Sequence, residues 1–115
     1  MGYMHKVFLS GTGIYGCSNC GTHLAFKDKV SSKSYTGQYG TAYLVDEVTN
    51  VRAGEAEKRN MTTGAHIVRD IVCMECNRYL GWTYVTAFTS DQKFKEGKFI
   101  LERNREIGIE GGPQQ

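Results

Sequence analysis

Two short segments, "YGCSNCGTHL" and "IVCMECNRYL", carry all four cysteines of this chain: Cys17, Cys20, Cys73 and Cys76. Each holds a Cys-x-x-Cys pair followed at once by a turn former, Gly21 or Asn77. That is the pattern of a metal-binding knuckle, in which backbone amides point at the thiolates and lower the cost of their charge. Two knuckles supply four soft sulfur ligands, the set that suits tetrahedral zinc. A redox Cys-x-x-Cys normally occurs singly beside a βαβ pattern, which is absent here. The expectation is one structural Zn2+ ion held by the four cysteines.

Residues 21–72, 52 in all, separate the two pairs. A short zinc ribbon has about 15–20. The ion therefore ties together two distant turns of a larger domain. Closing such a loop costs roughly 3–4 kcal/mol of chain entropy. Zinc binding in small domains is worth about 10–16 kcal/mol, so the clamp wins. A site closed by four thiolates leaves no position for a catalytic water, and no fifth cysteine remains to act as a nucleophile. His66 and Asp70 lie on one strand face without a serine or cysteine partner, too little for a catalytic dyad. The chain reads as a non-enzyme.

The elements that must position these residues are strands. Fourteen glycines, one proline and many Tyr, Phe, Val and Thr favour strands and tight turns. Strand candidates are "KVFLS" (6–10), "AYLVDEVTNV" (42–51), "AHIVRDIVC" (65–73), "LGWTYVTAF" (80–88) and "KFILERNREI" (98–107), with "THLAF" (22–26) following the first knuckle unassigned. The two-residue period sets Ile67, Arg69 and Ile71 against His66, Val68, Asp70 and Val72. It places Leu80, Trp82, Tyr84, Thr86 and Phe88 on one face. "KDKVSSKSYTGQYGT" (27–41) reads as a long turn-rich loop and "AGEAEKRN" (53–60) as a polar connection. "TSDQKFKEG" (89–97) suits one helical turn, with Thr89 capping and Gln92 closing a box. The fold class is all-β.

A length of 115 residues gives one domain, with 40% hydrophobic and 23% charged residues as in ordinary globular proteins. A net charge of +2 is too small to argue for nucleic acid or a membrane. No stretch reaches the ~18 apolar residues of a membrane span, and "MGYMHKVFLSGTG" lacks the apolar core of a secretion signal. Gly2 fails the myristoylation pattern, which wants Ser or Thr where Lys6 stands. The sequon at Asn60 has no meaning without a secretory route. The expectation is an intracellular protein, in which four cysteines bind metal rather than form disulfides.

With its spacings written out, the chain reads Cys17-x2-Cys20-x19-Gly40-x3-Leu44-x5-Asn50-x13-Gly64-x8-Cys73-x2-Cys76-x4-Gly81-Trp82-x-Tyr84-x10-Lys95-x6-Glu102. This resembles the signature of the Yippee (Yippee-like) family without departure at any of those positions. "SKSYTGQYGTAYLVDEVTNV", "TTGAHIVRDIVC" and "QKFKEGKFILE" support the likeness, which covers about residues 15–103. The resemblance implies a zinc-binding domain, placed at 1–106; the tail at 107–115, ending "GIEGGPQQ", reads as disordered from its own composition. The resemblance also implies a β-tent: two antiparallel sheets at an angle, pinned by the four-cysteine zinc site. Related tents occur in the thalidomide-binding domain of cereblon, in centromere-licensing proteins, in RIG-I-like helicases and in methionine sulfoxide reductase B. Some Yippee-like members associate with the GID/CTLH E3 ubiquitin ligase. Nucleus and cytoplasm, with the centrosome or spindle as further sites, are the implied locations.

The likeness to cereblon makes Gly81-Trp82 the match for part of an aromatic cage, with Tyr84 facing the same way and Asn50 and His66 on strands that can complete a concavity. Val68 stands where a second cage tryptophan is expected. Trp82 is equally readable as core beside the knuckle, and His66 and Asn50 as residues bonded within the sheet. Tyr35 and Tyr39, in a Tyr- and Gly-rich stretch, are candidate anchors for a protein partner, or else rings folded back onto the sheet. Lys27, Lys29, Lys33, Arg52, Lys58 and Arg59 are interleaved with Asp28, Glu55 and Glu57, which argues against a nucleic-acid stripe. The leading function is an adaptor that docks a protein, a subunit of a GID/CTLH-type ligase. A receptor for a small ligand or modified peptide is the alternative, and a nucleic-acid module a weaker one.

Overall fold

The computed structural model describes residues 13–103. The strand candidate at 6–10 and the tail at 107–115 lie outside them. β1 (Ile14–Gly16) and β2 (His23–Phe26) form a two-stranded antiparallel hairpin. β3 (Val30–Gly37), β4 (Gly40–Val45), β5 (Val51–Met61), β6 (Gly64–Cys73), β7 (Tyr79–Ala87) and β8 (Phe99–Glu102) form a six-stranded antiparallel sheet in the order β3-β4-β8-β7-β6-β5. Among the described residues the only helical pieces are 3-10 turns at Lys27–Lys29 and Ser90–Lys95. The expected all-β architecture of two antiparallel sheets is the one observed. No helix among these residues is long and apolar enough to cross a membrane.

The two stretches expected to be irregular are strands. Residues 30–37 form β3, and 53–60 lie within β5. Both are sheet edges, and β5 is exposed over most of its length. An edge strand with little to bury shows no apolar alternation, and charged side chains there protect its unpaired backbone. Conversely, the candidate strand at 42–51 breaks after Val45. The chain there must leave the second position of the sheet for its far edge. It is guided by Asp46 N–H to the Lys29 carbonyl and Thr49 N–H to the Leu24 carbonyl, both 2.8 Å, and by a left-handed turn at Asn50 (φ 62°). The helical turn after β7 forms, but Thr89 makes no side-chain cap; its carbonyl accepts from Gln92 N–H at 3.0 Å.

Both faces of the large sheet are buried, at different places. On one, Tyr43, Val45, Ile71, Cys73, Leu80 and Leu101 pack against Tyr15, Leu24 and Ala25 of the small hairpin. On the other, Ala42, Leu44, Val68, Trp82, Tyr84 and Ile100 form a second cluster. Alternation along β4, β6 and β8 sorts these residues as the period of two requires. β7 does not obey it. Leu80 belongs to the first face and Trp82 and Tyr84 to the second, although all three are even-numbered. The pairing of β6 with β7 is irregular at two places, skipping Leu80 and Val85. The set Leu80, Trp82, Tyr84, Thr86, Phe88 therefore does not share a face, and Phe88 ends 54% exposed.

Gly81 is the hinge of that switch. Its φ is +154°, and a Cβ there would lie 1.9 Å from the Ile100 carbonyl oxygen across the β7–β8 pair. Only a residue without a side chain lets the two backbones approach this closely. At the other end of β8, the buried Glu102 carboxylate accepts from Gln38 N–H and Tyr39 N–H, each 2.9 Å, and from the Tyr79 hydroxyl at 2.8 Å. One side chain so fastens the β3–β4 turn to β7. Burial first, and then the neighbouring carboxylate, push the Tyr79 phenol far above its usual pKa, which keeps it protonated as a donor.

Replacing Gly81 with alanine is expected to destabilise the domain by about 3 kcal/mol or more, the range of severe packing and strain defects. Urea unfolding of the zinc-loaded protein measures this. A loss within about 0.5 kcal/mol, as for ordinary surface changes, would show that the close approach does not constrain the sheet.

Candidate metal centre and cleft

The four cysteines converge. Cys17 and Cys20 flank the turn of the β1–β2 hairpin, and Cys73 and Cys76 that of β6–β7. The two turns repeat one hydrogen-bond pattern. Cys17 N–H donates to the Thr22 carbonyl (2.8 Å) and Gly21 N–H to the Cys17 carbonyl (2.8 Å). Likewise Cys73 N–H donates to the Arg78 carbonyl (2.9 Å) and Asn77 N–H to the Cys73 carbonyl (2.8 Å). Both need a left-handed residue just after the second cysteine, met by Gly21 at φ +79° and Asn77 at φ +64°.

All four Sγ atoms lie within 4.8 Å of one another, with Cys17–Cys76 at 3.7 Å and Cys20–Cys73 at 3.6 Å. Thiolates about 2.3 Å from a tetrahedral zinc ion stand about 3.8 Å apart, so this set fits one ion. Burial pushes the Cys17 thiol up to about 12 and raises Cys73 as well. At Cys76 burial acts the same way, but hydrogen bonds from the Asn19 side chain and Arg78 N–H outweigh it and bring the thiol down to about 7. A divalent cation supplies the charge that makes all four thiolates. The Thr22 hydroxyl, 3.0 Å from Cys20 Sγ, gives that sulfur a partner beyond the metal.

On the opposite face of the large sheet lies a cleft of about 740 Å³. Its walls are β3, the β5–β6 turn and the 3-10 helix that follows β7. The structure brings Trp82, Tyr84 and Tyr35 together on it. Trp82 and Tyr84 meet edge to face with ring centres 6.3 Å apart. Burial raises the Tyr84 phenol, and the nearby Trp82 N–H works the other way without reaching hydrogen-bond geometry.

The other candidates stand elsewhere. His66 is fully buried beside Tyr84, ring centres 5.1 Å apart, with Nδ1 3.0 Å from the Gly64 carbonyl; it does not line the cleft. Asp70 is bound by Arg59 at 2.9 Å rather than by His66. Asn50 lies at the metal end, its amide donating to the His23 carbonyl at 2.7 Å and its own carbonyl accepting from Met74 N–H at 2.9 Å. It braces the second knuckle against the small hairpin. Tyr39 is 46% exposed at the β3–β4 turn, its ring 6.1 Å from Tyr79. Lys95, Gln92 and Phe94 also line the cleft, although the sequence suggests none of them as a binding residue. They fall in a polar stretch where a lysine reads as solvated. Its fixed place in the spaced pattern was the sole signal.

Removing the metal with a chelator is expected to unfold the domain, seen as loss of near-ultraviolet dichroism, with one zinc per chain recovered by elemental analysis. Thr22→Val keeps all four ligands and should weaken zinc binding about 10–100-fold in a chelator competition. Unchanged affinity would remove the hydroxyl from the site.

A model of the Yippee-Mis18 family, described as Yippee zinc-binding/DNA-binding /Mis18, centromere assembly, matches residues 13–111. A yippee-like protein of Solanum tuberosum is 47% identical over 111 residues, 96% of this chain and 85% of that protein. Protein yippee-like 3 of Homo sapiens is 50% identical over 97 residues, 84% of this chain and 82% of its own length. Protein yippee-like 4 of Rattus norvegicus is 46% identical over 97 residues, covering 84% and 76%. None of these names is that of an enzyme. On the family match and on relatives aligned over most of their length, the chain belongs to the Yippee family of zinc-binding proteins.

Proposed function

We propose that this protein is a non-catalytic adaptor: a zinc-pinned platform that docks a protein partner, a subunit of a GID/CTLH-type E3 ubiquitin ligase, in the nucleus and cytoplasm. The observation that carries it is the exposure of large apolar side chains just after β7 and on the 3-10 helix that follows. Phe88 and Phe94 are 54% and 53% exposed at the end of β7 and on the helix after it. Scattered apolar residues are ordinary on a surface, but two phenylalanines six residues apart, beside a cleft wall, are the anchors an interface uses. The four-thiolate centre supports a structural role for the metal, since it offers no open position.

The cleft favours a second reading, a receptor for a small ligand or modified peptide. A concavity of about 740 Å³ with an aromatic wall of Tyr35, Trp82 and Tyr84 and a rim of polar side chains has the usual dimensions of such a site. The nucleic-acid reading has less support. Lys29 pairs with Glu47, Arg59 with Glu57 and Asp70, and Arg52 donates to the Met74 carbonyl. Lys33 and Lys58 stand over the Tyr43 and Phe88 rings. These contacts divide the basic residues rather than assemble a stripe.

Binding of the zinc-loaded protein to reconstituted ligase subunits tests the adaptor role. The double change Phe88→Ala, Phe94→Ala is expected to weaken binding at least about tenfold, as loss of interface anchors does. Tyr35→Ala, Tyr39→Ala asks the same of the β3–β4 hairpin. No binding by the wild type, or full binding by both double variants, would overturn the reading.

A further inference from the structure

The cleft contains a group that neither the metal site nor the docking surface uses. Lys95 ends the 3-10 helix and is 2% exposed. Its ammonium donates to Thr63 Oγ1 at 3.1 Å and stands 5.2 Å and 5.3 Å from the centres of the Tyr35 and Tyr84 rings. Lysine is almost never so buried without a counter-charge. Among the described residues no carboxylate contacts it, and Asp91 acts on it only through space. Burial accordingly lowers its pKa, so the fold works against the charge it holds. An ammonium carries three donors, and one is engaged.

Two further buried atoms on the cleft lack hydrogen-bond partners, Trp82 Nε1 and Gln92 Oε1. Arg59, the other cation of the lining, is neutralised by Glu57 and Asp70. The cleft lining therefore holds a single uncompensated ammonium beside aromatic rings, and the Trp82 indole N–H of the same lining is buried without a partner. We propose that it binds a small planar organic acid, its carboxylate seated on Lys95 and its flat body against Trp82, Tyr84 and Tyr35. One ammonium matches one carboxylate. A phosphate, with its higher charge, is served by arginine forks or clusters of amides, and Arg59 is not free to supply one. The inference rests on the receptor reading of the cleft and specifies its ligand.

Trp82 is the only tryptophan, so its indole N–H gives one assignable nitrogen–proton resonance inside the cleft. The test is a titration of zinc-loaded, 15N-labelled, full-length protein with benzoate and with its neutral isostere benzamide at constant ionic strength. Benzoate is expected to shift the Trp82 resonance saturably and to bind at least about tenfold more tightly than benzamide. Lys95→Met should erase that preference, and Lys95→Arg should retain part of it; melting temperatures and the rest of the spectrum confirm that both variants fold. Equal binding of the two probes by the wild type sinks the carboxylate seat while leaving a receptor cleft. No shift with either probe up to millimolar concentration sinks the seat and the receptor reading together. A preference that survives in folded Lys95→Met also overturns the proposal.

Discussion

The whole arrangement depends on four sulfurs brought within 4.8 Å by two turns that lie far apart in the chain. The hairpin of β1 and β2 has only two strands, and such a hairpin is marginal alone. It contributes Tyr15, Leu24 and Ala25 to the first core cluster, and the metal adds a bond of another order to that apolar contact. The mirrored hydrogen bonds of the knuckles hold each cysteine pair in the same turn geometry, which aims the four sulfurs at one point. Asn50 extends the same device. It touches the small hairpin through its side chain and the second knuckle through its carbonyl, linking both halves of the site without being a ligand.

The metal end was the part most legible in the sequence, because the spacing of Cys17, Cys20, Cys73 and Cys76 states its chemistry directly. β6 was legible too, since a central strand must bury alternate residues. The edges β3 and β5 were not. A strand that buries little has no reason to alternate, and serines, lysines and glutamates there look the same as they do in a loop. The phase change in β7 was hidden for a different reason. A skipped residue such as Leu80 leaves no mark on composition, and Gly81 is visible only as a glycine until Ile100 is seen behind it.

Buried polar residues were the other blind spot. Glu102 and Lys95 sit in short polar or mixed segments, and charge alone places both at the surface. Their burial is decided by partners far away in sequence: the amides of Gln38 and Tyr39 for Glu102, and Thr63, Tyr35 and Tyr84 for Lys95. The two differ in what they receive. Glu102 has three donors and is fully satisfied as a fastening, whereas Lys95 has one acceptor and the rings of Tyr35, Tyr84 and Phe94, which leaves capacity for something else.

The turn of β7 at Gly81 separates two jobs along one strand. Leu80 faces the clamp that holds the domain together, and Trp82 faces the concavity behind it. Side chains of the hollow belong to a different cluster from those around the cysteines, so a change on one side need not reach the other. A lineage can diversify what it recognises at small cost in robustness, which is the freedom a scaffold needs if gene duplication is to yield copies with separate tasks.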